Sequence, residues 1–571
     1  MDYTLALPAP MPANGMRTLT PREMTQRARA MTCIHRREAG QCQGQLYVSL
    51  FFDGTGNNKD WKEPKLGGKQ SQAELGKHSN VARLYEARLD RPDDGFFTHY
   101  IPGVGTPFAE IGDSGGDLGM GTGYMGANRI NWGITRVLNS ACVYLIGHDL
   151  FDKNTIKTYI QNISYNTRGP ATNGSFDREE KRLATIVASS QRKLTSINVA
   201  VFGFSRGAAE ARVFANWLGA MAKQNDGSHT LAGVPLRIYF MGLFDTVASV
   251  GIPGSVPGFD GHMAWADGQM DIHPAVEQCV HFIALHEQRA SFPLELVNNA
   301  KHVAYPGMHS DVGGGYLPTE QGKLSQLSQI PLIDMHYEAM KAGVPLLASD
   351  EIQQRSDLAK DFHCSESLIE AYNAFSRECG IGSTPDEQAI LAVIHQHTRQ
   401  YLQWRGDLLE SWQGLKTRDF YRRATPTDQK QLLLAQNDLS NQIAVLDERI
   451  RIEDGSALDK AAAISLYANS GNFDDEMIQP VDAVTRRVLA AMRQHTPLPD
   501  AVRRLMDDYI HDSRAGFRPL GNLEPHNVTG GYLRYRTIFP KQPGNAELAA
   551  PSETRAASTV HSSTTSSAAL A

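Results

Sequence analysis

One pentapeptide limits the folds open to this chain more than any other feature. Gly203-Phe204-Ser205-Arg206-Gly207 stands between residues 197–202 (INVAVF), a β-branched apolar run that reads as a buried strand, and residues 208–222, a helix-forming stretch. The G-x-S-x-G pattern alone is weak, because a chain this rich in glycine and serine contains it by chance roughly one time in four. Its setting is what makes it specific: a nucleophile elbow needs a strand before it and a helix after it. Such a tight turn holds the serine in a strained backbone conformation. Glycines two places before and after remove the Cβ atoms that would collide. The serine Oγ then stands at the helix N-terminus, where the Arg206 N–H can face a developing oxyanion. A plain strand–turn–helix with an exposed serine is the bland alternative.

The surrounding pattern favours the elbow. Residues 45–52 (QLYVSLFF), 97–101, 236–244 (LRIYFMGLF), 280–285 and 302–305 read as strands. Helical spacing separates them, as in residues 80–89 and in Ile130, Ile134, Val137, Leu138, Ala141 and Leu145. Strands alternating with helices predict an α/β fold with a mostly parallel sheet and helices on both faces. Residues 112–126 hold seven glycines and predict a mobile loop.

The predicted organisation is an irregular arm over 1–44, a catalytic core with insertions over 45–330 and a helical accessory or cap region over 331–470. Residues 471–540 pack back on the core, and an Ala/Ser/Thr-rich disordered tail covers 541–571. Helical patterns at 389–415 and 428–452 define the accessory region. The pattern at 484–509 reads as one helix and 532–539 as a strand.

A serine is a poor nucleophile at neutral pH, so it needs a base, and the base needs an orienting acid. Hydrolases with an elbow place these in the order Ser, acid, His. Asp245 ends the strand after the next crossover, and His309 follows a later strand in a Gly-rich turn, so Ser205, Asp245 and His309 are the candidate triad. His511, flanked by Asp512 and Ser513, is the alternative base; Asp311 and Asp260 are weaker rivals for the acid. A second oxyanion donor belongs on the loop after an early strand, which points to the backbone N–H of Gly54 or Thr55 in Asp53-Gly54-Thr55-Gly56.

Other signals are set aside. Gly112-Asp113-Ser114-Gly115-Gly116 copies the serine loop of trypsin-like proteases but lacks their strand-rich barrel pattern. Gly121-x-Gly123-x-x-Gly126 has no strand leading into it, so it is no dinucleotide fingerprint. Cys33, His35 and Cys42 lack a fourth ligand and a standard zinc spacing. Neither a metal nor an organic cofactor is expected. The balance of 56 Lys+Arg against 62 Asp+Glu, a net charge of -6, argues against nucleic-acid binding through a general basic field. The six scattered cysteines form no disulfide framework. The first twenty residues carry no Sec-type signal, and no run of about 20 apolar residues spans a bilayer. The reading is a soluble protein made in the cytoplasm and exported, if at all, without a signal peptide.

Leu50-Phe-Phe-Asp-Gly-Thr-Gly-Asn-Asn58, Pro102-Gly-Val-Gly-Thr106, Gly203-Phe-Ser-Arg-Gly-Ala208, Gly242-Leu-Phe-Asp-Thr-Val247 and His309-Ser-Asp-Val-Gly-Gly-Gly-Tyr316 occur together. In that combination the chain resembles the α/β-hydrolase family that includes type VI secretion lipase effectors of the G-x-S-x-G type. His511-Asp-Ser-Arg-Ala515 and Gly530-Gly-Tyr-Leu-Arg534 are similar to the effector branch. The resemblance implies an antibacterial phospholipase A acting on membrane phospholipid in a rival's periplasm. It implies delivery by a contractile injection machine with a spike protein, and a cognate immunity protein in the producer. It maps nucleophile, acid and base onto Ser205, Asp245 and His309, and the region after 331 onto a variable membrane-contacting part. Two other readings stay open: a soluble carboxylesterase or thioesterase with the same triad, and a degenerate hydrolase that only binds.

Overall fold

The computed structural model describes residues 4–6, 8–32, 36–38, 41–166, 174–225, 228–251, 261–379, 387–409, 414–469, 480–494, 497–517 and 531–539. Its centre is a sheet of eight main strands: β1 (Thr4–Ala6), β2 (Arg36–Glu38), β3 (Gln41–Phe52), β4 (Phe96–Ile101), β5 (Lys193–Phe204), β6 (Val234–Phe244), β7 (Cys279–Ala284) and β8 (Lys301–Tyr305). They lie in the order β1-β8-β7-β6-β5-β3, and β3 pairs on its far edge with β4 and β2. Every pairing along this path is parallel except β2 with β3.

The helices that matter below are α1 (Asn80–Glu86), α2 (Gly126–Ile146), α3 (Arg206–Met221), α4 (His309–Gly313), α5 (Gln329–Ala342), α6 (Glu366–Glu378), α7 (Glu387–Leu409), α8 (Pro426–Asp454), α9 (Ala483–Met492) and α10 (Asp500–Asp508). Side chains alternate across a strand, so an apolar run covered on both faces feeds two cores. On β3 and β5, Leu46, Val48, Leu50, Ile197, Val199 and Val201 pack into one cluster with residues of α2 and α3. Tyr47, Phe51, Ala200 and Phe202 point the other way. Their cluster runs through α5 into Tyr372, Leu402, Leu439, Val488 and Leu505 of the helical region. Each such side chain contributes roughly 1.5–3 kcal/mol when fully buried. The helical region therefore shares one core with a face of the sheet.

Four expectations are corrected. Residues 4–32 are not irregular: β1 adds an edge strand beside β8, and Pro21–Thr32 is a helix. Too few apolar residues repeat there to signal elements whose partners lie some 300 residues away. The helical pattern at 484–509 is two helices, because Pro497 and Pro499 cannot continue the first. Only Ile538–Phe539 of the run 532–539 is a strand, paired with Leu294–Glu295. The Gly-rich stretch is not one loop: it holds a short strand, Asp113–Ser114, and a helix, Asp117–Thr122. A Cβ on Gly119 would lie 2.7 Å from Gly105 N, and one on Gly115 2.9 Å from Gly105 O. Those glycines let two loops touch backbone to backbone. Cys33, His35, Asp260, Gly530 and the tail 541–571 lie outside the described residues. Among the described residues no helix is long and apolar enough to cross a membrane.

Candidate active site

Parallel strands end together, and here their register brings the C-terminal ends to one edge. Phe52 pairs with Gly203, Phe204 with Phe244, Phe244 with Phe282, and Ala284 with Tyr305. The chain leaves β3 for the outer strand β4 and then crosses back to β5 on the other side. The crevice of such a sheet opens where the order reverses, between β3 and β5.

Ser205 stands at that point, between the end of β5 and the start of α3, with φ 59° and ψ -129°. Few non-glycine residues adopt such a conformation. The flanking glycines explain how it is held. A Cβ on Gly203 would come within 2.5 Å of Ala208 Cα, and one on Gly207 within 2.2 Å of Asp53 O. Ser205 N donates to Phe244 O at 3.1 Å, which ties the turn to the end of β6. Arg206 N lies at the start of α3, where the first N–H groups have no partner within the helix.

Asp245 follows β6, is fully buried, and accepts four hydrogen bonds. His309 Nδ1 lies 2.6 Å from Oδ2, and Ala284 N donates to Oδ1 at 2.8 Å. Arg536 Nη1 donates to Oδ1 at 2.8 Å and Nη2 to Oδ2 at 2.7 Å. Burial alone would raise this carboxyl, but Arg536 and then His309 outweigh it and hold it below the usual carboxylate range. His309 opens α4 after β8, with its ring centroid 4.6 Å from Phe204 and 4.9 Å from Phe292. Burial lowers the His309 imidazole, against the pull of Asp245. Its Nε2 has no hydrogen-bond partner among the described residues. That nitrogen is therefore open to take a proton, and Ser205 Oγ is not hydrogen-bonded to it in this structure.

The second donor is narrowed. Gly54 N already donates to Asp53 Oδ1 at 2.8 Å, so it is not available, whereas no described residue accepts from Thr55 N. This corrects the expectation for Gly54: its N–H serves to hold the turn. Asp53 is buried, accepts from Ser79 Oγ and Tyr100 OH as well, and its carboxyl is pushed up to about 6 by burial against those bonds. Arg206 Nε donates to Thr55 Oγ1 at 2.7 Å, and its Nη2 to Met120 O. One side chain thus joins the elbow, the β3 turn and the Gly-rich loop.

The two rivals are brought together elsewhere. His511 Nδ1 lies 2.6 Å from Asp311 Oδ1, and the His511 ring stacks on Tyr316 at 3.9 Å. The segment 511–513 also ties down the turn after β7, where Ser513 Oγ donates to Glu287 Oε1 at 2.9 Å. Glu287 Oε2 accepts from His309 N at 3.1 Å. Sequence reasoning missed Glu287 and Arg536. The only signal for the latter was a charged residue inside the apolar run 532–539. Among the described residues no three His, Cys, Asp or Glu side chains are grouped to hold a metal.

The family model for the catalytic domain of T6SS Tle1-like phospholipase effectors matches residues 48–232 and 222–338, just over half of the chain. The chain belongs to this family. The Tle1-like match takes in Asp53, Ser205, Asp245 and His309, and ends before α6, before His511 and before Arg536. A crystal structure of an uncharacterized protein from Pseudomonas aeruginosa aligns with a TM-score of 0.69 at 24% identity, over 94% of this chain and 85% of that one. At that identity the likeness speaks for the fold alone. The structure of the Tle1 effector bound to the VgrG spike of the type 6 secretion system aligns at 22% identity over 50% of this chain and 53% of that one. Its TM-score of 0.26 carries no argument. No curated protein matches the chain.

Proposed function

We propose that this Tle1-like chain is a phospholipase A that cleaves acyl esters of membrane glycerophospholipids through Ser205, His309 and Asp245. The observation that carries the reading is the strained Ser205 at the elbow, with the buried His309–Asp245 pair at the same sheet edge. His309 Nε2 takes the Ser205 Oγ proton as that oxygen attacks the ester carbonyl. Asp245 keeps Nδ1 protonated and stabilises the imidazolium. The N–H groups of Arg206 and Thr55 receive the oxyanion. His309 then returns the proton to the leaving lysophospholipid oxygen, and water releases the fatty acid by the same route. As a type VI effector it would be carried by a spike protein into a rival's periplasm, and its producer would hold an immunity protein.

The test is fatty-acid release from phospholipid vesicles by wild type and Ser205→Ala, with folding checked by circular dichroism. Release by the first and none by a folded variant is expected. Equal release by both removes Ser205 as nucleophile. Turnover of short soluble esters with no gain at vesicles favours a soluble esterase instead.

A further inference from the structure

Residues 531–539 form a strap between the helical region and the acid. At its start, Tyr532 N donates to Gln442 Oε1 of α8 at 2.8 Å. A Cβ on Gly531 would lie 1.7 Å from Gln442 Nε2, so a larger residue there would have to push the Gln442 amide aside. At its end, Ile538–Phe539 pairs with Leu294–Glu295, and Glu295 N donates to Thr246 O at 3.0 Å, one residue past Asp245. Between these anchors Arg536 turns inward and is 5% exposed. Its Nε donates to Phe292 O at 3.0 Å and its Nη1 also to Ala284 O at 3.1 Å.

The strap does not need Arg536 on this carboxylate to dock, since the strand pair and Gln442 hold both ends. The guanidinium instead takes one hydrogen bond on each Asp245 oxygen, and Oδ2 is the oxygen that faces His309. With Ala284 N and His309 Nδ1, these bonds leave the carboxylate no freedom to turn. A buried carboxylate without such a partner takes up a proton, and a protonated acid cannot stabilise an imidazolium. We infer that Arg536 is a positioning residue of the hydrolase: it holds Asp245 as an oriented carboxylate on His309, so the strap completes the site. This rests on the reading of Ser205, Asp245 and His309 as the triad.

The other charged or titratable groups around the pair are Glu287 and Arg289 on the turn after β7 and His281 on β7, each of which feels His309 or Arg536 or both. Removing the guanidinium makes the His309–Asp245 pair take up its first proton at higher pH. That moves the acid limb of kcat/KM, which reports the free enzyme, to higher pH.

The experiment measures kcat and KM on a soluble short-chain ester from about pH 5 to 9 for full-length wild type, Arg536→Gln, Arg536→Lys and Ser205→Ala, with thermal unfolding of each. Arg536→Gln is expected to lower kcat roughly 10²-fold with KM little changed, and to move the acid limb up. Arg536→Lys keeps the charge and should hold the limb in place while losing part of kcat. An Arg536→Gln enzyme that is destabilised but keeps the wild-type limb and kcat overturns the inference. If Arg536→Gln does not fold, a limb that moves in Arg536→Lys overturns it and an unmoved limb with reduced kcat supports it. Hydrolysis surviving in Ser205→Ala breaks the triad reading itself. Its loss there, with Arg536→Gln like wild type, breaks only the role of Arg536.

Discussion

Among the described residues, two buried histidines each hold Nδ1 2.6 Å from an aspartate carboxylate and leave Nε2 unpartnered. Their surroundings differ. His309 packs beside Phe204, the neighbour of Ser205, and its acid is clamped by Arg536. His511 lies flat on Tyr316, and its acid also accepts from the backbone N of Met308 and of His511. Under the mechanism proposed above, only the first pair works with the serine. The two pairs are joined, because Asp311 and His309 share α4 and His511 bonds to that helix from the C-terminal segment.

The sharpest way to break this comparison is to remove each imidazole. His309→Gln should lower kcat by about 10⁴-fold or more in a folded protein. His511→Gln should leave kcat of the folded enzyme within roughly tenfold and lower its melting temperature instead. Loss of activity in a fully stable His511→Gln protein would exchange the two roles.

A smaller effect tests how the second pair is held. Asp512 forms a buried ion pair with Arg405 of α7 at 2.7 Å and exchanges hydrogen bonds with Gln321. Arg405→Met leaves that carboxylate buried without its cation, so denaturant unfolding should show a loss of about 3–5 kcal/mol. An unchanged midpoint would mean the segment 511–513 is not anchored through this pair.

The smallest effect concerns the elbow helix. Glu210, one turn after Arg206, is 1% exposed, and neither carboxylate oxygen has a partner among the described residues. Burial, against Arg129 and Arg206, pushes its carboxyl up to about 8. The folded state therefore holds this proton more tightly than the unfolded state. The contribution to stability is full below about pH 4.5 and is lost as pH rises towards 8. Glu210→Gln should unfold much like wild type at pH 4 and gain on it steadily as the pH rises to 8.5. Equal stability at both pH values would mean Glu210 stays ionised and solvated.

The residues nearest the elbow were legible because their chemistry is local. A strand, a glycine pair and a helix lie within one stretch of sequence, and Asp245 and His309 each end or follow a strand of the same sheet. Arg536 was not legible, since its contact with Asp245 spans 291 residues and an arginine within an apolar run does not name its partner. The glycines of 112–126 were misread because composition does not distinguish a glycine that frees a chain from one that admits a neighbour. The N-terminal strand was hidden for a third reason: three residues added to a finished sheet edge need no pattern of their own. The Gly54 donor failed on a side chain one residue away, whose orientation the sequence does not carry.

The φ of 59° at Ser205 has a bearing on how such a chain evolves. A non-glycine residue held there costs about 1–3 kcal/mol, a sizeable share of a typical net folding stability. Under the proposed mechanism, selection for a robust fold and selection for the serine therefore pull against each other at one position. A lineage that no longer needed the hydroxyl would gain stability by replacing it with glycine. Inert descendants of this chain would then be easier to fold than active ones.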